Sequence, residues 1–230
     1  MSGLDESIGT LRGLTELDVS ENQITDIPKK ALRHLKKLVR VNLMKNHLYD
    51  LPDAIGNIGG LKELNVDMNR LDLLPPTFQK LRNLEVFSAS FNNLYTLPDS
   101  IGKLENLRIL GLEGNQLCRL PPGLGYLHLE QLKVSHNRLE RLELDLMAPN
   151  LQDSIQTLLL SNNNLLELPA MFDGCSRMRL LQIDYNPMRS PPTDLLEEAA
   201  AAHEAALREA QDEVERKVNA ELQRQTVAQE

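Results

Sequence analysis

Leucine and isoleucine return along this chain in one long phrase, L-x-x-L-x-L-x-x-N-x-L, usually followed by Leu-Pro. The phrase opens at Leu14, Leu38, Leu61, Leu84, Leu107, Leu129, Ile155 and Met178, and the openings are 24, 23, 23, 23, 22, 26 and 23 residues apart. Its asparagines are Asn22, Asn46, Asn69, Asn92, Asn115, Asn137, Asn163 and Asn186. The first half of each unit, such as 107–112, alternates about Leu110 and Leu112 and predicts a short strand. The second half, such as 51–58, places Ile55 and Ile58 three residues apart and predicts a turn of 3₁₀ or short helix, with Pro52 limiting its length. A fixed period in the low twenties predicts a solenoid, with one parallel sheet on its concave side. Eight strands at ~4.8 Å spacing make that sheet about 35 Å across.

The same pattern sorts residues by face. Leucine positions point inward, and each asparagine sits where the strand turns away and buried backbone needs partners. An amide side chain offers donors and an acceptor there, so the asparagines read as structural. Phe78 and Phe172 fall on slots equivalent to Ile55, and Phe87 on a leucine position, so all three read as core. The intervening strand positions point to solvent. Their central apolar members are Met44, Met68, Val86, Phe91 and Ile109, with Arg40, Glu63, Asp67 and Arg108 around them. An apolar centre inside a charged rim is the anatomy of a protein interface. These nine residues are the candidate partner-binding set, with Phe91 as anchor.

Three places break the pattern. Before the first full repeat, Leu4–Leu11 aligns with 51–58. This half-repeat is either an N-terminal cap or the end of a longer solenoid. The 26-residue spacing falls at 143–153, where Glu143 replaces the usual proline and an insertion follows, read as a surface bulge or a binding loop. After Pro191-Pro192 the repeats stop. From Leu195 to about Thr226 there is neither Pro nor Gly, and Ala, Glu, Gln and Arg predict a long helix capped at Thr193 or Asp194. Its first residues, Leu195, Leu196 and Ala199, would cover the end of the solenoid. The fold class is thus α/β, divided into a solenoid over 1–192 and a capping and extended helix over 193–230.

Charge and composition narrow the function. The net charge is -8, and no basic stripe is evident along the sequence, which disfavours nucleic acid. Two cysteines, Cys118 and Cys175, form no disulfide framework and suit a reducing setting. Neither a signal peptide nor an apolar run near 18 residues is evident. The histidines His34, His47, His128, His136 and His203 show no metal-ligand spacing, and no phosphate loop or nucleophile elbow occurs. No metal, cofactor or enzymatic activity is expected.

The extended phrase L-x-x-L-x-L-x-x-N-x-L-x-x-L-P-x-x-I-G-x-L, as in 38–58 and 84–104, resembles the intracellular Ras-group leucine-rich-repeat proteins over roughly residues 4–192. That resemblance implies a leucine-rich-repeat horseshoe. It also implies a cytoplasmic scaffold that binds protein partners through its concave face, often in small-GTPase or phosphatase signalling. Similar repeats in cytoskeletal and ciliary assemblies imply a second possibility: a recognition part or structural subunit of a larger assembly, either such a complex or a larger signalling enzyme, docked through the C-terminal helix.

Overall fold

The computed structural model describes residues 3–142, 149–168, 172, 175–189 and 208. Eight strands, each three residues long, form one parallel sheet in sequence order. They are β1 (Glu16–Asp18), β2 (Arg40–Asn42), β3 (Glu63–Asn65), β4 (Val86–Ser88), β5 (Ile109–Gly111), β6 (Gln131–Lys133), β7 (Thr157–Leu159) and β8 (Leu180–Gln182).

 The strand register matches the repeat: Glu16 lies beside Arg40, Val86 beside Ile109, and Thr157 beside Leu180. Each strand flanks one buried side chain, leucine in most and Val41 or Phe87 in β2 and β4, and backbone bonds between repeats continue past the strand ends, as from the Lys45 N–H to the Asp67 carbonyl at 2.8 Å.

Among the described residues, the return segments form five 3₁₀ turns and two short helices. The 3₁₀ turns are η1 (Glu6–Thr10), η2 (Asp53–Asn57), η3 (Pro76–Lys80), η4 (Asp99–Lys103) and η5 (Pro122–Tyr126), and the helices are α1 (Lys29–Leu32) and α2 (Pro149–Ser154). Proline at the N-cap of η2, η3, η4 and η5 fixes the backbone entering each turn. η1 uses Asp5 instead, whose carboxylate accepts from the Ser7 N–H at 2.7 Å. The glycine in the Ile-Gly step has a packing cause: a Cβ on Gly56 would stand 2.3 Å from the Thr77 carbonyl oxygen, so neighbouring turns meet backbone to backbone.

Between the sheet and the return segments lies one continuous leucine-dominated core. Phe78 and Phe87 join its two sides with ring centroids 4.7 Å apart, and Phe172 is fully buried. Cys175 is buried and Cys118 exposed. The irregularity at 143–153 is, in its described part, the helix α2. Its Leu151 is fully buried, and the Ser154 hydroxyl donates to the Leu129 carbonyl at 2.9 Å. It therefore serves as a return segment, not as a surface bulge. Glu143 to Ala148, Leu195 and Leu196, and (Arg208 aside) the helix expected over 195–226 lie outside the described residues.

Asparagines close each turn. The Asn92 Oδ1 accepts from the Leu71 N–H at 2.9 Å, while its Nδ2 donates to the carbonyls of Val66, Ala89 and Ser90 at 3.0, 3.1 and 3.3 Å. Asn46, Asn69, Asn115, Asn137, Asn163 and Asn186 repeat this arrangement. A second set stands at the opposite corner, where Asn83, Asn106 and Asn150 donate to the carbonyls of Gly59, Arg82 and Tyr126 at 2.6, 2.7 and 2.7 Å.

Candidate interaction site on the concave face

Each strand offers two outward positions, because its middle residue is turned into the core. Stacking the strands at the fixed register lines these positions up into columns. The first column runs Glu16, Arg40, Glu63, Val86, Ile109 and onward to Leu180. Its start is charged and its middle apolar.

Arg40 bridges three strands. Its Nη1 lies 2.5 Å from Glu16 Oε1, and its Nε donates to Glu63 Oε1 at 2.9 Å. Hydrogen bonds to Glu63 and Glu16 hold its guanidinium pKa above the ordinary value. Lys62 pairs with Glu85 at 2.7 Å and Arg108 with Glu130 at 2.6 Å. The bond from Lys62 draws the Glu85 carboxyl below its usual range. Asp18 is lowered too, chiefly by the Ser20 hydroxyl, then by the Ser20 N–H and the Asn42 amide. These pairs are solvent-exposed and screened, so they contribute little to stability. Their effect is to fix a pattern of charge along the rim. Between them lies a groove of about 310 Å³, lined by Glu16, Asp18, Arg40, Asn42, Glu63 and Asn65 and ending against Val86 and Ser88.

The nine sequence-predicted residues do not form one patch. Val86 and Ile109 are register neighbours and half-buried at the middle of the sheet. Met68 and Phe91 lie beyond the strand ends, 41% and 52% exposed, on consecutive turns. Between the two pairs runs a polar strip, where Asp67 Oδ1 accepts from the Ser88 hydroxyl and the Ser90 N–H, both at 2.6 Å. Asp67 is thus tied internally and is not a free rim charge. Met44 is half-buried in the column of Asp67, and Arg40, Glu63 and Arg108 are the ion-paired residues described above.

The column of Met68 and Phe91 has an unusual backbone. Glu21, Lys45, Met68, Phe91, His136, Asn162 and Tyr185 all have φ between 53° and 57°, and Gly114 has φ 63°. This left-handed turn starts the bend at each asparagine. A bulky non-glycine residue there is disfavoured. The Phe91 ring extends over Gly114, where a Cβ would stand 2.5 Å from ring Cδ1. Phe91 therefore has a shelf that glycine alone leaves open.

Sequence reasoning missed two groups. Leu159 and Leu180 are half-buried on the outward positions of β7 and β8 and form a second apolar spot. Their columns contain them, but attention to the middle repeats passes them over. On the strand-exit flank, Tyr49, Leu73 and Tyr95 are 55%, 44% and 51% exposed. Arg70 donates to the Tyr49 hydroxyl at 2.8 Å and stands 5.6 Å from its ring centroid. The signal was the shared offset of Tyr49 and Tyr95, each three residues after its asparagine.

Among the described residues, no group of three or more His, Cys, Asp or Glu is placed to hold a metal ion, and no helix is long and apolar enough to cross a membrane.

Comparison with known proteins agrees with this geometry. A leucine-rich-repeat family model matches residues 4–48 and 59–117, and a second leucine-rich-repeat model matches 154–175. Together they span more than half of the chain. The plant intracellular Ras-group-related LRR protein 8 of Oryza sativa subsp. japonica is 36% identical over 91 residues, covering 39% of this chain and 24% of that protein. The plant peptide hormone receptor RGFR1, solved in complex with RGF2, is 25% identical with a TM-score of 0.73, over 81% of this chain and 31% of the receptor chain. Internalin C2 of Listeria monocytogenes is 20% identical with a TM-score of 0.68, over 84% of this chain and 80% of that chain, and shows the fold alone. The chain matches about a quarter of the length of the rice relative and under a third of the receptor chain. With its ordered repeats, asparagine ladder and parallel concave sheet, the chain belongs to the leucine-rich-repeat family, and within it resembles the Ras-group proteins.

Proposed function

We propose that this chain is a protein-interaction scaffold whose concave face receives a protein partner, centred on Val86, Ile109, Met68 and Phe91. The observation that carries this reading is Phe91: an exposed aromatic held in a left-handed backbone on a glycine shelf. A large aromatic left exposed where the same turn elsewhere carries Glu21, Lys45 and Asn162 points to a use outside the fold. Arg40, Glu63 and Arg108 supply the charged rim that orients the partner, and Met44 and Asp67 support it from within. Leucine-rich-repeat proteins generally act as interaction modules without chemistry of their own, and an enzymatic role is not part of this reading. The rice relative's description as intracellular supports a cytoplasmic setting, and a small GTPase or a phosphatase is the partner class the Ras-group resemblance favours. RGFR1 in complex with RGF2 supports partner binding as a use of this fold.

The second reading is a recognition part or structural subunit of a larger assembly, cytoskeletal or ciliary, or of a larger signalling enzyme. The short share of its relatives that this chain covers favours it. Its docking element would be the C-terminal segment.

The test is site-specific photo-crosslinking from Ser88 and from Gln23 in cells that express the protein. A partner captured from Ser88 but not from Gln23, and lost at least about tenfold with Phe91→Ala as expected for a central anchor, supports the concave reading. Capture that ignores Phe91→Ala combined with Arg108→Glu moves the interface off this face, and loss of the partner on removing 193–230 assigns it to the second reading.

A further inference from the structure

The corner that leads each return segment into the next strand carries cations that the concave reading does not use. Backbone bonds fix the equivalence of these corners. Leu11, Ile58, Leu81 and Leu104 donate to the carbonyls of Ile8, Ile55, Phe78 and Ile101 at 3.0 to 3.1 Å, and Leu35 donates to Leu32 at 3.2 Å. The residues beside these five therefore stack turn upon turn. Immediately after them stand Arg12, Lys36, Gly59, Arg82 and Glu105, and Lys37 follows Lys36. Immediately before Leu81 and Leu104 stand Lys80 and Lys103.

Arg12, Lys36, Lys37, Lys80, Arg82 and Lys103 are all exposed. Among the described residues none of the six is in an ion pair, unlike Arg40, Lys62 and Arg108 on the sheet. Glu105 is the one carboxylate in these stacked positions. The sequence shows no basic stripe because successive members lie a full repeat apart; folding brings them into a row. Gly59 interrupts it, and a Cβ there would meet nothing within 4 Å. The result is a notch between Lys36 and Lys37 on one side and Arg82 on the other. Two turns at ~4.8 Å set the backbones of these walls about 10 Å apart, which leaves room for one extended strand between them.

We propose that this corner docks an acidic polypeptide segment. Unpaired cations on a chain of net charge -8 concentrate a positive potential that attracts and steers a polyanion. A single-stranded nucleic acid would want aromatic platforms between the cations. Of the exposed aromatics among the described residues, Tyr49, Phe91, Tyr95 and Tyr185 stand instead on the strand-exit side, and Tyr126, one residue before Leu127, stands at this corner but past Glu105, beyond the cations rather than between them. A lipid surface would want apolar side chains to insert. Leu35, Ile58, Leu81 and Leu104 are fully buried, and only Leu11 at the end of the row is exposed. A carboxylate-rich chain needs neither, and the notch admits one such chain.

The experiment titrates the full-length protein into fluorescein-labelled poly-L-glutamate by anisotropy. Chains of about 20 residues are long enough, at ~3.3 Å per residue, to cross all five turns. Saturable binding is expected that weakens steeply with salt, since exposed charges are screened beyond a Debye length of ~10 Å at 0.1 M. Lys36→Glu combined with Arg82→Glu should weaken it at least about tenfold, with Lys36→Gln combined with Arg82→Gln intermediate. Ile109→Ala combined with Phe91→Ala should leave it unchanged. Phosphatidylserine vesicles and a single-stranded oligothymidylate serve as parallel probes. Absence of saturable binding by poly-L-glutamate, equal binding by the charge-reversed protein, or tighter capture of vesicles or oligothymidylate overturns the proposal. Failure of the concave-face reading leaves these outcomes untouched, because the two sites share no residue.

Discussion

Asn92 shows how one side chain can hold a turn. It accepts one backbone bond from the preceding repeat and donates to three carbonyls, all in a buried setting. Asn92→Ala removes both roles and leaves the Leu71 N–H without its partner. An orphaned buried donor costs about 1–3 kcal/mol. Asn92→Ala should therefore lower unfolding free energy by at least about 2 kcal/mol in urea, whereas exposed Asn93→Ala should change it by less than about 0.5 kcal/mol. Equal midpoints for the two variants would show that the ladder is ornamental. Phe91 poses the opposite case. Its left-handed backbone suits glycine better, so Phe91→Gly should stabilise or leave unchanged the fold while weakening partner capture. A variant that loses several kcal/mol would show that the ring is structural. Asp18 and Glu85 carry lowered carboxyl pKa values in the fold. Such groups contribute stability above their unfolded pKa, about 4, and lose it as pH falls through the folded value. A flat melting temperature from pH 6 to 8 and a decline below about pH 4 is expected, small because both groups are exposed.

Elements were legible in proportion to how local their causes are. The buried leucines, Phe78, Phe87, Phe172 and the 3₁₀ turns follow from spacing within one repeat, and the structure has all of them. The left-handed column was not legible as such: Phe91 and Met68 read as sheet-face residues, yet the bend that begins each asparagine turn carries them past the strand. Nor was the division of the candidate site, because the hydrogen bonds of Asp67 to Ser88 and Ser90 join two different repeats. The corner cations were hidden for the same reason: each lies a repeat from the next in sequence. α2 was misread because its insertion obscures the slot that Leu151 fills. Placing a charge at that fully buried site should be severe. Leu151→Asp should lower unfolding free energy by about 3 kcal/mol or more, whereas Asp153→Ala on the same helix, at an exposed position, should be near neutral. Similar urea midpoints for the two would restore the reading of a surface bulge.

At the scale of the whole molecule, a solenoid has two ends where stacking stops. At the first, Leu4, Ile8, Leu14 and Val19 are only partly buried and Leu11 is 54% exposed, because no earlier turn of the described chain covers them. At the other, Met178, Leu181 and Ile183 are only 7–8% exposed although, among the described residues, no ninth strand lies beside β8. The sequence supplies Leu195 and Leu196 as candidates to cover them, placed just after the Pro191-Pro192 stop and ahead of an Ala-rich run. Two buried leucines contribute roughly 3–5 kcal/mol as an upper estimate. Leu195→Asp combined with Leu196→Asp should then lower the melting temperature clearly. A distant pair of leucine substitutions in the same segment, Leu207→Asp with Leu222→Asp, should not. Because stability in a repeat array is a sum over neighbours, the loss should fall on the last turns first, and amide exchange should rise at Leu181 and Ile183 before Leu110 and Leu132. Uniform exchange along the solenoid, or an unchanged melt, would show that those two leucines cover nothing.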